Sequence, residues 1–240
     1  MVGVSVVRLL KATAHKNLVY RVAVKEDSQK LMEFLFQYFA KDEPCNRALK
    51  MPHSVMEVLF AGTVDRCLQL PFSSIVTDSE NGDRVAGCNL TSVWNRSDKN
   101  EDADYAFRDF PENAQLFVNL LNSMHSNFWD LAPKIVQAVL HREMVSVGTP
   151  YMRKGISSRL VTENLSRRLL KKYQVGGIIS EATSLANQRL EEKYGFKCLL
   201  EKSYADVVDS KGKRVLQLDD GTTHMKLNFK AIEDFENLPE

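Results

Sequence analysis

The segment between Gly148 and Ser158, GTPYMRKGISS, carries the residues with the clearest chemical potential. Its basic, glycine and hydroxyl residues are Arg153, Lys154, Gly155, Ser157 and Ser158. An apolar strand pattern precedes the segment and a helical pattern follows it, so the free N–H groups of the first helical turn would point to one spot. Together with the positive charge, this arrangement suits an anion, above all a phosphate. Spacing alone leaves a solvated turn with a capping serine as the alternative.

Other reactive side chains form no motif. The cysteines are Cys45, Cys67, Cys88 and Cys198. They lie at least 21 positions apart without a C-x-x-C pair or a histidine at zinc spacing, so we predict neither a metal site nor a disulfide. His141 and His224 can titrate near neutral pH, with an ordinary packed or surface role as the alternative for each.

The first half of the chain predicts a strand, two helices and a hairpin. Residues 19–24 alternate as a strand, and apolar positions between Leu31 and Phe39 then recur at helical spacing. The sequence Lys41-Asp-Glu-Pro ends this helix, because the residue before a proline avoids the helical conformation. A second helix is predicted for residues 53–67, and Asn81-Gly82 marks a turn between two strands.

The second half predicts a further alternation of helices and strands. Helices are expected at 114–124, 135–140, 156–173 and 184–193, and strands at 143–147, 175–182, 196–204 and 222–229. The anion-binding loop therefore lies between a strand and a helix. No internal repeat or low-complexity tract interrupts this order.

Composition indicates a folded chain with no global attraction to polyanions. Of 240 residues, 44% are hydrophobic, which suffices for a real core, and the formal net charge is only +1. We expect no nucleic acid partner, no membrane span and a cytoplasmic location. The first 25 residues contain basic but no acidic side chains and weakly resemble a mitochondrial transit segment, although residues 19–24 fit a first strand better.

The loop and its flanking elements resemble the GNAT superfamily of acyl-CoA N-acyltransferases. The family's pyrophosphate loop, Gln/Arg-x-x-Gly-x-Gly/Ala, corresponds to residues 152–157 here, in which Gly155 and Ile156 match. Met152 stands where the family has Gln or Arg, and Ser157 replaces the small residue. The resemblance extends over residues 20–229, nearly the whole chain.

This resemblance implies a set of acyl-CoA contacts. In the family, the strand before the loop meets the pantetheine arm through its backbone, and a later motif ends in a Gly-Phe turn. The implied contact residues are Val145, Ser146, Val147, Arg153, Lys154, Gly155, Ile156, Ser157, Ser158 and Asn187. Acetyl-CoA is the implied cosubstrate, and no metal is expected.

The segment Asp42-Glu-Pro-Cys-Asn resembles the Asp-Glu-Pro-Leu-Asn of invertebrate arylalkylamine N-acetyltransferases. The resemblance implies that Glu43 is the general base, and it aligns Thr183 and Asn187 with two assisting hydroxyl residues, of which Thr183 keeps its hydroxyl. The tyrosine that protonates the leaving thiolate in many relatives falls at Glu191. That acid is missing, so solvent is expected to protonate the thiolate.

The sequence therefore predicts a single GNAT domain spanning residues 1–240, with its core at about 19–230. The implied fold is α/β, with a mixed, mostly antiparallel sheet that splays at the acyl-CoA site and helices on both faces. The implied activity is direct acetyl transfer to a small arylalkylamine by a monomer or weak homodimer. A polyamine, amino acid or protein lysine as acceptor remains an alternative, as does a non-catalytic acyl-CoA sensor.

Overall fold

A single seven-stranded sheet organises the chain in the computed structural model, which describes residues 17–98, 107 and 109–240. In chain order, the strands are β1 (Leu18–Val22), β2 (Ser74–Asp78), β3 (Arg84–Asn95), β4 (Ala138–Val147), β5 (Val175–Ala182), β6 (Lys197–Ser203) and β7 (His224–Ala231). They lie in the order β1-β2-β3-β4-β5-β7-β6. Only β4 and β5 pair in parallel, so the predicted mixed, mostly antiparallel sheet is confirmed.

Helices cover both faces of this sheet. They are α1 (Ser28–Phe34), α2 (Ala40–Asp42), α3 (Pro44–Leu49), α4 (His53–Cys67), α5 (Glu112–Leu131), α6 (Ile156–Leu160), α7 (Arg167–Lys172) and α8 (Leu185–Lys193). Neighbouring residues of a strand point to opposite faces. Accordingly, Val139 and Ile179 pack with α4 and α5, whereas Leu140 and Ile178 pack with α7.

The sheet forks between β4 and β5. Their parallel pairing runs only from Ala138 with Val175 to His141 with Ile179. Beyond that point β4 stays paired with β3 and β5 stays paired with β7, so the two strands part while each remains anchored. A bulge on β4 lies at the start of the divergence, because the register with β3 passes from Arg142 to Met144. A bulge twists a strand locally, which helps β4 turn away from β5.

Two predicted helices are wrong. Residues 135–140 do not form a helix, because Ala138 onwards belongs to β4, whose strand partner β3 is 12 residues long. The predicted helix 156–173 is two short helices, α6 and α7. Asn164 takes a left-handed φ of 61° between them, and Ser166 then caps α7 by accepting the N–H of Leu169 at 3.2 Å. Such a φ interrupts a right-handed helix.

The N-terminal strand and the hairpin are confirmed. β1 occupies residues 18–22, and β2 pairs with β3 across the Asn81-Gly82 turn. The first 16 residues, including most of the transit-like stretch, lie outside the described residues, as do residues 99–106 and 108. Within the described part of the chain, no helix is long and apolar enough to span a membrane.

Candidate active site

A cleft of about 370 Å³ opens where β4 and β5 separate. This volume lies in the range of small-molecule sites. Its lining residues from β4 are Arg142, Glu143, Met144, Val145, Ser146 and Val147, and those from β5 and its following turn are Ser180, Glu181, Thr183 and Ser184. From residue 142 onwards, the edge of β4 that faces β5 has no strand partner among the described residues. Backbone groups along that edge are therefore available to a ligand.

Glu43 reaches this cleft because Pro44 dictates the local backbone. Proline disfavours a helical conformation for the residue before it and suits the first position of a new helix. Glu43 accordingly leaves α2 in an extended conformation, with φ −74° and ψ 122°, and becomes the N-cap of α3. Its Oε2 accepts the backbone N–H of Asn46 at 2.6 Å. The side chain is thus fixed at the wall of the cleft, with 8% of the residue exposed.

Thr183 lies against Glu43 across the cleft. The Thr183 hydroxyl donates to Glu43 Oε1 at 2.9 Å, although 140 residues separate the two in sequence. Tyr204 holds this turn in place, because its buried hydroxyl donates to the Thr183 carbonyl oxygen at 2.9 Å. The structure therefore brings together the two residues that the sequence analysis assigned to catalysis.

Burial raises the pKa of Glu43 above the usual range of a glutamate. The N–H groups of α3 and the Thr183 hydroxyl act in the opposite direction, since they stabilise the carboxylate, but burial outweighs them. A carboxylate with a raised pKa is a stronger base than an exposed one, which is the property that proton abstraction near neutral pH requires. Burial also raises the pKa of the neighbouring Cys45 thiol, which excludes a ready thiolate nucleophile there.

The predicted phosphate loop lies beside the mouth of the cleft. Met152 lines the cleft, and residues 152–155 are exposed. Arg153 and Gly155 both take left-handed backbone conformations, with φ of 61° and 78°. Gly155 ends the loop as the N-cap of α6. Because α6 has only five residues, its dipole contributes less to anion binding than the sequence analysis expected.

The side chains near this loop divide between solvent and core. Lys154 is exposed and its Nζ lies 5.2 Å from the centre of the Tyr151 ring. Ser157 and Ser158 are partly exposed at the start of α6. Ile156, by contrast, is buried among apolar side chains, so only its backbone is available to a ligand.

Asn187 and Phe39 lie on opposite walls of the cleft. Asn187 lies in α8 and lines the cleft, but its amide also donates to Glu191 at 3.3 Å. Phe39 lines the opposite wall, at the end of a π-helical segment, Leu35–Phe39, between α1 and α2. The adjacent Tyr38 does not line the cleft and packs in the core instead, close to Gly148.

Two histidines and Glu181 form a largely buried cluster on the α5 side of the fork, which no local sequence pattern predicts. Glu181 Oε2 is 2.6 Å from His141 Nε2, and Glu181 Oε1 is 3.2 Å from His125 Nε2. Burial opposes ionisation of both members of the first pair. Their mutual attraction prevails, so it raises the pKa of His141 and lowers that of Glu181.

This cluster is also the place where the described residues could hold a metal ion. One ligand atom from each of His125, His141 and Glu181 lies within 4.8 Å of the others. The sequence gives no spacing signal for it, because the three residues come from α5, β4 and β5. The run His141-Arg142-Glu143 inside an apolar strand was the available clue, since charged residues are rarely buried without a partner or a function.

Several solved structures have a fold similar to that of this chain. Arylalkylamine N-acetyltransferase 2 from Aedes aegypti is similar over 90% of this chain and 99% of that chain, with a TM-score of 0.75 and 20% sequence identity. A polyamine N-acetyltransferase from Drosophila melanogaster that forms N-acetylagmatine covers 90% and 100%, with a TM-score of 0.70 and 14% identity. The C-terminal condensation domain of Ebony, solved with β-alanyl-dopamine, covers 90% and 99%, with a TM-score of 0.66 and 17% identity.

These likenesses show that the chain has the GNAT fold, as the sequence analysis expected. At identities of 20% and below, they show the fold and leave the reaction to be argued from the site. No protein-family model matches the chain, and neither does any curated protein sequence.

Proposed function

We propose that this protein is an acetyl-CoA-dependent N-acetyltransferase that acetylates a small primary amine. The observation that carries this proposal is the position of Glu43, buried at the wall of the fork and hydrogen-bonded to Thr183. The raised pKa of its carboxylate makes Glu43 a suitable base. The unpaired edge of β4 in the same cleft can bind an extended acyl carrier. The GNAT fold supports the same activity, because the similar structures named above include N-acetyltransferases.

The residues of the fork fit acetyl-CoA. The unpaired edge of β4 at residues 145–147 offers backbone groups to the amide-bearing pantetheine arm. The exposed loop beside it offers Arg153, Lys154 and the first N–H groups of α6 to the pyrophosphate. The thioester would then lie between the strands, facing the wall that holds Glu43.

Glu43 begins the reaction by removing a proton. An alkylamine with a pKa near that of lysine, about 10.4, is almost fully protonated at neutral pH and cannot attack a carbonyl carbon. Once Glu43 has accepted the proton, directly or through water, the nitrogen forms a bond to the thioester carbon. A backbone N–H of β4 stabilises the oxyanion. The nitrogen, positively charged after its attack, loses its second proton to water, and the C–S bond then breaks to release the amide and the thiolate.

The preferred acceptor is an arylalkylamine. Apolar side chains line the acceptor side of the cleft: Phe39, Pro44, Phe117, Leu121 and Met144. Aromatic rings pack well against such walls. A polyamine or agmatine is the second candidate, favoured by Asp42, Glu43 and Asp220 in the same lining, whereas Glu143 and Glu181 are already paired with Arg66 and His141. These acids would attract a second positive charge on the acceptor.

Calorimetric titration with acetyl-CoA, followed by thiol release with an amine panel, tests this proposal. We expect micromolar binding and faster release with tryptamine or dopamine than with spermidine or agmatine. The reverse order would select the second candidate. Binding without turnover on any amine would support an acyl-CoA sensor, and absence of binding would refute the proposed function.

A further inference from the structure

Arg142 is buried with its hydrogen-bonding capacity unused. Only 3% of the residue is exposed, and its Nε, Nη1 and Nη2 atoms have no hydrogen-bond partner among the described residues. An arginine in a protein stays protonated, so this side chain is a buried cation. Burying an unpaired charge is costly, and such a group is retained where something else compensates it.

Glu191, the acid that interacts electrostatically with Arg142, forms no hydrogen bond with it. Glu191 attracts Arg142 electrostatically but directs its oxygens elsewhere: Oε2 accepts from Asn228 at 2.7 Å and Oε1 from Asn187 at 3.3 Å. Burial raises the pKa of Glu191 above the usual range of a glutamate, against the attraction of Arg142. The five N–H donors of Arg142 are therefore left for a partner that the protein itself does not provide.

Arg142 occupies the base of the cleft. It is the first residue of β4 after the last parallel pair, His141 with Ile179, and it lines the cleft together with Ser180. By strand alternation, it points to the same face as Leu140, which is the face covered by α7. Glu43 contacts the cleft from the helices of the opposite face. A group bound in the fork would thus meet a base on one side and a cation on the other.

We propose that Arg142 is an anion-binding catalytic residue that stabilises the thiolate of CoA as it leaves. This inference rests on the proposed function. When the C–S bond breaks, its electron pair goes to sulfur, and the guanidinium N–H groups donate to that anion. The proton that later neutralises the thiolate comes from solvent, and Arg142 keeps its own protons throughout.

Glu191 stands at the position where many related enzymes have the tyrosine that protonates the thiolate, and a cation at residue 142 makes that acid unnecessary. A tyrosine would donate a proton to the thiolate, whereas Glu191 is buried and occupied by two asparagine side chains. A fixed positive charge lowers the pKa of a thiol, so the sulfur can leave as an anion without a dedicated acid. Electrostatic stabilisation of this kind works best in a site that excludes water.

The ionisation of bound CoA tests the role of Arg142 without any amine. CoA would be bound to the wild-type protein and titrated with base while the ultraviolet absorbance of its thiolate is followed. We expect the thiol pKa to fall by at least about one unit relative to free CoA, a tenfold rise in thiolate fraction. Arg142→Met should abolish this shift, and Arg142→Lys should restore part of it.

The matched control removes an equivalent charge elsewhere. Arg168 is exposed on α7, so Arg168→Met should keep the wild-type thiol pKa. If CoA bound to Arg142→Met has the same lowered thiol pKa as CoA bound to the wild type, the thiolate role is wrong while the proposed function stands. If wild-type protein binds CoA without any shift, the role is likewise refuted; if it binds no CoA, the proposed function fails first. Circular dichroism confirms folding, which Arg142→Met should not impair because it removes an uncompensated buried charge.

Discussion

Glu43→Gln separates the chemical role of this side chain from its structural role. The glutamine amide oxygen can accept the Asn46 N–H, and its NH₂ group can donate to the Thr183 hydroxyl, which is able to accept as well as donate. Both contacts of the carboxylate therefore survive in the variant. We expect the free energy of unfolding to change by less than about 1 kcal/mol, the usual value of one cap or hydrogen bond.

Catalysis should respond far more strongly. Loss of a positioned general base typically costs about 10² to 10⁴ in rate, equivalent to roughly 3 to 5 kcal/mol in the activation barrier. The assay is kcat/KM for thiol release from acetyl-CoA with the best amine of the panel. In the wild type, kcat/KM should fall on acidification through the raised pKa of Glu43, and Glu43→Gln should lack this acidic limb.

Asp42→Asn is the matched control, because it neutralises the adjacent carboxylate that also lines the cleft. Its side chain accepts the Thr149 hydroxyl at 3.0 Å, whereas the Thr183 hydroxyl donates to Glu43. We expect a loss below about tenfold, the scale of a screened charge effect. A folded Glu43→Gln variant within about threefold of wild type would refute the base assignment. An equal loss in Asp42→Asn would attribute the effect to cleft charge instead.

Further predictions concern pH and packing. Because the pKa of Glu43 is raised in the folded state, the wild type loses stability as the pH rises above 4.5. Glu43→Gln lacks this loss, so its melting temperature should rise relative to that of the wild type between about pH 4 and pH 7. Glu181 raises the pKa of His141, so their pairing stabilises the fold fully below about pH 6.5 and less at higher pH. In denaturant titrations, His141→Asn should therefore lower the free energy of unfolding by about 3–5 kcal/mol near pH 6 and by less near pH 9. A pH-independent loss would contradict this ion pair. In Gly177→Ala, the new Cβ would lie 2.2 Å from Phe229 Cε2, which should lower stability by about 1–3 kcal/mol, whereas Gly62→Ala meets open space within α4 and should not destabilise.

Local sequence determined the positions of several site residues. The Glu-Pro pair alone predicts an extended residue before a new helix, and Glu43 is found in that conformation. Glycine at 155 permits the left-handed conformation that ends the loop. Apolar patterns in the sequence predict the hairpin and the strands around the fork. These features depend on backbone preferences and short-range periodicity, which act within a few residues.

Long-range pairing decided the rest. Residues 135–140 have a helical periodicity but join β4, because β3 offers a strand partner over 12 residues. The contact of Thr183 with Glu43, the cluster around Glu181 and the isolation of Arg142 each depend on where the sheet forks. No local pattern encodes that point. Which charges are buried and which find partners follows from the packing of distant strands and helices, and that burial sets the chemistry of the cleft.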